Sequence, residues 1–62
     1  MKLPRLKQVR ESKLLTQKEL AAKVGIGEIS ISRIERGGDA RISTVRLLAE
    51  ALGVEPTELM QS

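Results

Sequence analysis

The chain contains no cysteine, no histidine and no aromatic residue. Without cysteine there is no disulfide and no thiolate metal site. Without histidine the commonest metal ligand and the usual general base near neutral pH are missing too. With no Phe, Tyr or Trp, the core has to be assembled from Leu, Ile, Val and Ala. No apolar run approaches the ~20 residues of a membrane-spanning helix. The N-terminus, MKLPRLKQVRESK, is too charged for a secretory signal. No carboxylate pair is spaced for metal or acid–base work, and Ser30, Ser32 and Ser43 have no base in view. These absences argue against an enzyme, a metal site, a cofactor and a membrane partner, and no small-molecule site is expected. They leave a soluble, cytoplasmic protein as the expectation.

What is present fits one small domain, residues 1–62. A chain of this length buries only about 60% of its unfolded surface, so it folds with little stability to spare. No repeat, linker or low-complexity segment is visible. The net charge of +3 is unevenly spread. Residues 1–23 carry +5, residues 24–42 balance, and residues 43–62 carry −2. A basic first half suits phosphates and an acidic end does not. The same lysines would serve ordinary solvation equally well, and a net charge this small does not mark a nucleic-acid binder by itself.

The most informative stretch is TQKELAAKVGIGEISISRIER, Thr16–Arg36. It reads as two short helices joined at Gly25. Thr16 and Glu19 have the spacing of a capping box, in which the hydroxyl accepts from the backbone N–H of residue 19 and the carboxylate accepts from that of residue 16. Leu20 and Val24 face a core, with the small Ala21 permitting close approach of the next helix. Gly25 supplies the left-handed backbone that ends the helix. Ile26 pins the turn inward, and Ile31 and Ile34 form the buried pair of the following helix.

At about 100° per residue, Glu35 lies about 40° from Ile31 on the inner face. Ile29, Ser32, Arg33 and Arg36 lie roughly 100–160° away from Ile31, and Glu28 is on the flank. The outward face is therefore Glu28, Ile29, Ser32, Arg33 and Arg36. A polar outward face is ordinarily just solvated. Here the preceding helix and glycine turn, together with an isoleucine in the middle of that face, identify a helix-turn-helix, a device for placing one helix in the major groove of DNA.

The other segments read as scaffold. Pro4 fits a first helical position, and Leu6, Val9 and Arg10 share one face of a helix running to about Lys13. Leu15 anchors the next connection. Ser43 is placed to cap a fourth helix, whose buried stripe is Val45, Leu48, Ala49 and Leu52 and whose end is Gly53. Pro56 starts a last short helix that seats Leu59. Arg10 is a charge on a buried face.

The segments LTQKELAAKVGI, ISRIERG and STVRLLAEALGV, within a span from about Arg5 to Met60, resemble a phage repressor/Cro-type domain, also called XRE-type. Leu20, Ala21, Gly25, Ile26, Ile31 and Ile34 all fit in register. The resemblance implies an all-α fold, a compact lambda-repressor-like bundle of five short helices, with the helix-turn-helix unit at 16–36 and a recognition helix at about 27–36. It implies a sequence-specific transcriptional regulator bound to double-stranded DNA, in a bacterial or phage setting at the nucleoid.

It also assigns roles. Arg10 and Glu35 match a partly buried ion pair, with the arginine near DNA; the alternative is that Arg10 snorkels to solvent along its stem. Gln17 matches a phosphate-binding glutamine at a helix N-terminus, where backbone N–H groups and the dipole also favour an anion. Arg36 and Arg41 suit phosphates, and Lys7 and Lys18 are weaker candidates. Glu28, Ile29, Ser32 and Arg33 form the base-reading set and differ from the long amides of familiar phage repressors. Arg33 suits guanine O6 and N7, Ile29 a thymine methyl and Glu28 cytosine N4. Glu28 has an equal claim as an anion at the N-terminal dipole, since Gly27 is only a moderate cap.

Relatives usually dimerise on near-palindromes, with half-sites about 34 Å apart or a multiple of it. The matching surface here is Val54, Glu55, Pro56, Leu59 and Met60. Leu47 points away from the core stripe, and Leu14 stands where the family often has glycine. Some domains of this type are antitoxins or bridging coactivators, so a protein partner such as a toxin is the competing expectation.

Overall fold

The strongest apolar stripe in the sequence, along residues 42–52, organises the molecule. In the computed structural model, which describes residues 1–61, the chain forms α1 (Leu6–Ser12), α2 (Gln17–Val24), α3 (Glu28–Glu35), α4 (Ile42–Leu52) and α5 (Pro56–Met60), with no strand among the described residues. Helix α4 turns Val45, Leu48, Ala49 and Leu52 inward. Helices α2 and α5 both pack on it, α3 lies against α2, and α1 bridges α3 and α5. The core is wholly aliphatic: Leu3, Leu6, Leu20, Ala21, Ile31, Ile34, Ala40, Leu59 and the α4 stripe are buried. Val9, Leu15, Val24, Ile26 and Val54 pack around its edge.

Local chemistry accounts for most boundaries. Thr16 accepts from the Glu19 backbone N–H at 3.0 Å, and Glu19 accepts from the Thr16 N–H at 2.8 Å, completing the expected capping box. Those backbone and side-chain bonds from Thr16 hold the Glu19 carboxyl below its ordinary value of 4.5. A carboxyl lowered on folding stabilises above its unfolded pKa, so this contribution fades as pH falls from about 4.5 through the lower folded value. Gly25 ends α2 at φ 84°, in the left-handed region. Gly53 ends α4, and Glu55 with Glu58 makes a second capping box at Pro56.

Two expected boundaries move. Pro4 is not the first residue of α1. It sits in a turn closed by Leu6 N–H donating to the Leu3 carbonyl at 3.1 Å, and Arg5 is the N-cap. The turn exists because Leu3 is buried, and proline at its second position loses no needed donor. Ser43 does not cap α4 either. Val45 N–H donates to the Arg41 carbonyl at 2.9 Å, so the helix begins two residues earlier, with Arg41 as an N-cap lacking a side-chain bond and Ser43 inside the first turn.

The first three residues, given no packing role by the sequence, close the fold. Leu3 is 1% exposed, and the Ala40 N–H donates to the Met1 carbonyl at 2.7 Å. Lys2 donates to the Gly37 carbonyl at 2.6 Å. The first three residues thus strap the segment between α3 and α4, while the Arg5 N–H donates to the Leu59 carbonyl at 3.2 Å and ties α1 to α5.

Leu14 is the one non-glycine residue at positive φ among the described residues, at 59°. Its N–H donates to the Glu11 carbonyl at 2.9 Å and its side chain is 90% exposed. The conformation is the usual left-handed helix exit, where glycine is the favoured residue. A side chain there costs about 1–2 kcal/mol. Glycine relieves that strain but loses part of the gain to the greater freedom of the unfolded chain. Leu14→Gly is therefore expected to stabilise by about 0.5–1 kcal/mol, seen as a higher Tm; an unchanged or lower Tm would show that the strain at Leu14 does not exceed the entropy glycine adds to the unfolded chain.

Candidate nucleic-acid interface

The site is built outward from a buried ion pair. Arg10 on α1 donates through Nε to Glu35 Oε2 at 2.6 Å and through Nη2 to Glu35 Oε1 at 3.2 Å. The side chains are 9% and 3% exposed. Arg10 Nη1 also donates to the Leu15 carbonyl at 2.6 Å, and Gln17 Nε2 on α2 donates to Glu35 Oε1 at 2.9 Å. The hydrogen bond to Glu35 raises the Arg10 pKa above the ordinary arginine value, against the opposing effect of burial. The expected pair is therefore formed, and the snorkelling alternative for Arg10 is not what the chain adopts. Three of the five guanidinium N–H groups are engaged inside the protein. Gln17, expected at a phosphate, is tethered to the same carboxylate and keeps a second amide N–H beyond that bond.

That network fixes α3 from behind, with Ile31 and Ile34 buried beside it. Its other side is open. Glu28, Ile29, Arg33 and Arg36 are exposed and Ser32 is half-buried. Ile29 is 82% exposed, so an apolar side chain stands on a polar face with no core role. Glu28 lies in the first turn of α3, and its N-cap Gly27 makes no side-chain bond, which leaves both of its expected roles open. Arg36 is the C-cap of α3 and Arg41 the N-cap of α4, both exposed. Lys7 and Lys18 are exposed as well.

Arg33 departs from a simple outward pose. Its Nη1 donates to the Asp39 carbonyl at 2.9 Å, so the guanidinium is tied to the loop after α3. It lines an open cleft of about 500 Å³ with Ile26, Ser30, Ile34, Ala40 and Arg41. Sequence periodicity placed Arg33 on the outward face but carried no sign of this tether, because a backbone carbonyl six residues away has no signature of its own. The loop is held from its other side by the Met1 ammonium, 3.4 Å from the Asp39 carboxylate, and by Lys2 at 3.7 Å. The nearby Lys2 charge, together with the hydrogen bond and charge of the Met1 ammonium, holds Asp39 below its ordinary 3.8.

The expected dimer surface needs one correction. Leu59 is fully buried against the core and cannot present its side chain to a partner. Its place on α5 was read rightly as a core seat, and the two roles exclude each other. Glu55 and Met60 are exposed, while Val54 and Pro56 are half-buried. Leu47 is 47% exposed, as expected for a residue off the α4 stripe. No helix among the described residues is long and apolar enough to cross a membrane.

Two short helices joined by a left-handed glycine turn, the second braced from behind and open in front, define a helix-turn-helix DNA-binding domain. The helix-turn-helix family model HTH_3 matches residues 6–59. The chain belongs to this family, the XRE-type helix-turn-helix regulators that bind DNA and control transcription. No curated protein sequence matches it. Among solved structures, it is similar to the restriction-modification controller protein C.AhdI from Aeromonas hydrophila, with 36% identity over 89% of this chain and 85% of that one, at a TM-score of 0.85. SinR, a master regulator for biofilm formation solved in complex with DNA, is 30% identical over 98% of this chain and all of that one, at 0.87. The hypothetical transcription factor NHTF from Neisseria is 30% identical over 89% of this chain and 63% of that one, at 0.82.

Removing one partner of a buried pair strands the other charge. Glu35→Ala is expected to cost about 3–5 kcal/mol, a large part of the stability of so small a domain. The apolar double variant Arg10→Met/Glu35→Leu should recover most of it, because no charge is then stranded. Denaturant unfolding of both variants is the check, and equal losses in the two would show that packing rather than charge pairing dominates.

Proposed function

We propose that the domain regulates transcription by laying α3 (Glu28–Glu35), with its caps Gly27 and Arg36, in the major groove of a specific operator, as a homodimer on a near-palindrome. The observation that carries this reading is Ile29, an exposed isoleucine amid polar side chains on a helix whose opposite face is locked. Family membership and the likeness to SinR, itself solved with DNA, support it. Glu28, Ile29, Ser32 and Arg33 read base edges, with Ile29 against a thymine methyl and Arg33 at guanine. Gln17, Arg36 and Arg41 hold phosphates, which position the protein without reading sequence. Arg10 adds a phosphate contact only through the N–H groups left over from its pairing with Glu35.

In the dimer, Val54, Glu55, Pro56 and Met60 meet their counterparts, and Leu59 supports them from the core. Two copies double a DNA interface that one small module leaves short. The setting is the nucleoid of a bacterial or phage-infected cytoplasm, and the function is binding, with no catalytic step. A second reading rests on the exposed Leu14 and Leu47, apolar side chains off the readout face that suit a protein partner such as a toxin.

Selection of bound DNA from a random pool tests the main reading. A recovered near-palindrome with half-sites about 34 Å apart, or a multiple of it, is the expected result. Loss of all sequence preference would instead favour the protein-partner reading. Light scattering with and without the selected DNA reads the dimer directly, and a monomer bound to a single half-site would remove it. On the selected operator, Ile29→Ala should lose about 1–3 kcal/mol of discrimination at one A·T pair. Arg41→Ala should weaken all sequences alike and reduce the slope of log affinity against log salt by about 0.9.

A further inference from the structure

Gly38 has no backbone reason to be glycine. Among the described glycines, positive φ occurs at Gly25, Gly37 and Gly53, and not at Gly38. What sets Gly38 apart is space. A Cβ there would lie 2.8 Å from Arg33 Nη1, 2.8 Å from the Arg33 carbonyl oxygen and 2.9 Å from Arg33 Cγ. At each other glycine, a hypothetical Cβ has no heavy atom within 4 Å beyond the glycine itself and its chain neighbours. The Gly38 N–H also donates to the Arg33 carbonyl at 2.9 Å, closing the turn that brings the two residues together. The Arg33 stem thus lies flat on the Gly38 backbone, and its guanidinium reaches over it to the Asp39 carbonyl.

We propose that Gly38 is a specificity-determining positioning residue, which holds Arg33 in its DNA-reading pose before DNA arrives. The inference rests on Arg33 reading a base, as proposed above. The hydrogen-bond pattern supports the pose. Arg33 is anchored through Nη1 alone, and among the described residues its Nε–H and Nη2–H edge donates to no protein group. That edge is a two-donor fork with the spacing that matches guanine O6 and N7. A long cation left loose on the surface samples many rotamers and loses that freedom on binding. One held at its far end and along its stem has already lost it. Loop 37–41 is in turn held by Lys2, which donates to the Gly37 carbonyl, and by the Ala40–Met1 backbone bond, so the anchor is itself fixed.

Two measurements test this on the whole chain. The first is the side-chain order of Arg33 Nε–Hε by NMR relaxation, in the unmodified protein without DNA. Arg33 should be markedly more ordered than the exposed Arg46, and Gly38→Ala should bring it toward Arg46. Equal mobility of Arg33 and Arg46 in the unmodified protein overturns the proposal even if Gly38→Ala fails to fold.

The second is affinity for the operator selected with the unmodified protein, together with base preference, for Gly38→Ala, Arg33→Ala and the double variant. Ordering one rotamer-rich side chain on binding corresponds to about a 2–12-fold change in Kd. Gly38→Ala should weaken the selected operator by that factor and relax preference at the guanine that Arg33→Ala identifies. It should have no further effect on preference when Arg33 is already alanine. If Arg33→Ala changes preference and Gly38→Ala does not, Arg33 reads a base and the role of Gly38 is overturned. If Arg33→Ala leaves preference unchanged, the base-reading assignment fails, and the specificity role of Gly38 falls with it.

Discussion

One carboxylate ties α3 to the rest of the molecule. Glu35 accepts from Arg10 on α1 and from Gln17 on α2, while Arg10 also holds the Leu15 carbonyl between those helices. Burying a charge is expensive unless it is paired and its remaining bonding capacity is filled. Here the charges are paired with each other, and no buried side-chain N or O among the described residues is left unpartnered. An apolar contact is tolerant of sliding; a bidentate guanidinium–carboxylate pair is not. The network therefore specifies the register of α3 against α1 and α2 more sharply than the aliphatic contacts around it could. With α3 fixed in this way, its outer face is a defined surface.

The core beneath is modest. It has no aromatic side chain, and its apolar content is spread over short helices that would not be stable alone. Caps matter correspondingly more. The Thr16–Glu19 and Glu55–Glu58 boxes, the glycine exits at Gly25 and Gly53, and the strap from residues 1–3 all satisfy backbone groups that short helices would otherwise leave open. At Leu14 the chain accepts a left-handed leucine, a local conflict between side chain and backbone in an otherwise consistent design.

The segment between α3 and α4 links fold and function. It is held on one side by the N-terminal strap and on the other by Arg33, and it leads into Arg41 at the start of α4. Arg33, expected to meet a base, and Arg41, expected to meet a phosphate, are thus both tied to one loop. Its geometry depends on parts of the chain more than thirty positions apart.

Much of the fold was legible because it repeats at helical spacing. The α4 stripe, the Ile31–Ile34 pair, the Thr16 cap and the Gly25 exit are local patterns whose physical cause lies within a few residues, and each was found where periodicity and capping chemistry put it. Two boundaries were misread: at Pro4, where the buried Leu3 sits in a turn before α1, and at Ser43, where the Val45 N–H bonds to the Arg41 carbonyl and α4 starts two residues earlier. Leu59 was assigned to both core and surface, a conflict that only packing could settle. The Arg10–Glu35 pair was expected by resemblance, and its closure by Gln17 and Leu15 was not. By itself, then, the sequence determined the helices, the turn between α2 and α3 and the polar character of the outward face of α3, since these follow from side-chain spacing along one chain segment. Tertiary structure decided the strap of residues 1–3, the tether of Arg33 and the space required at Gly38, since these depend on carbonyls and backbone surfaces brought together by folding, which leave no pattern in the order of side chains.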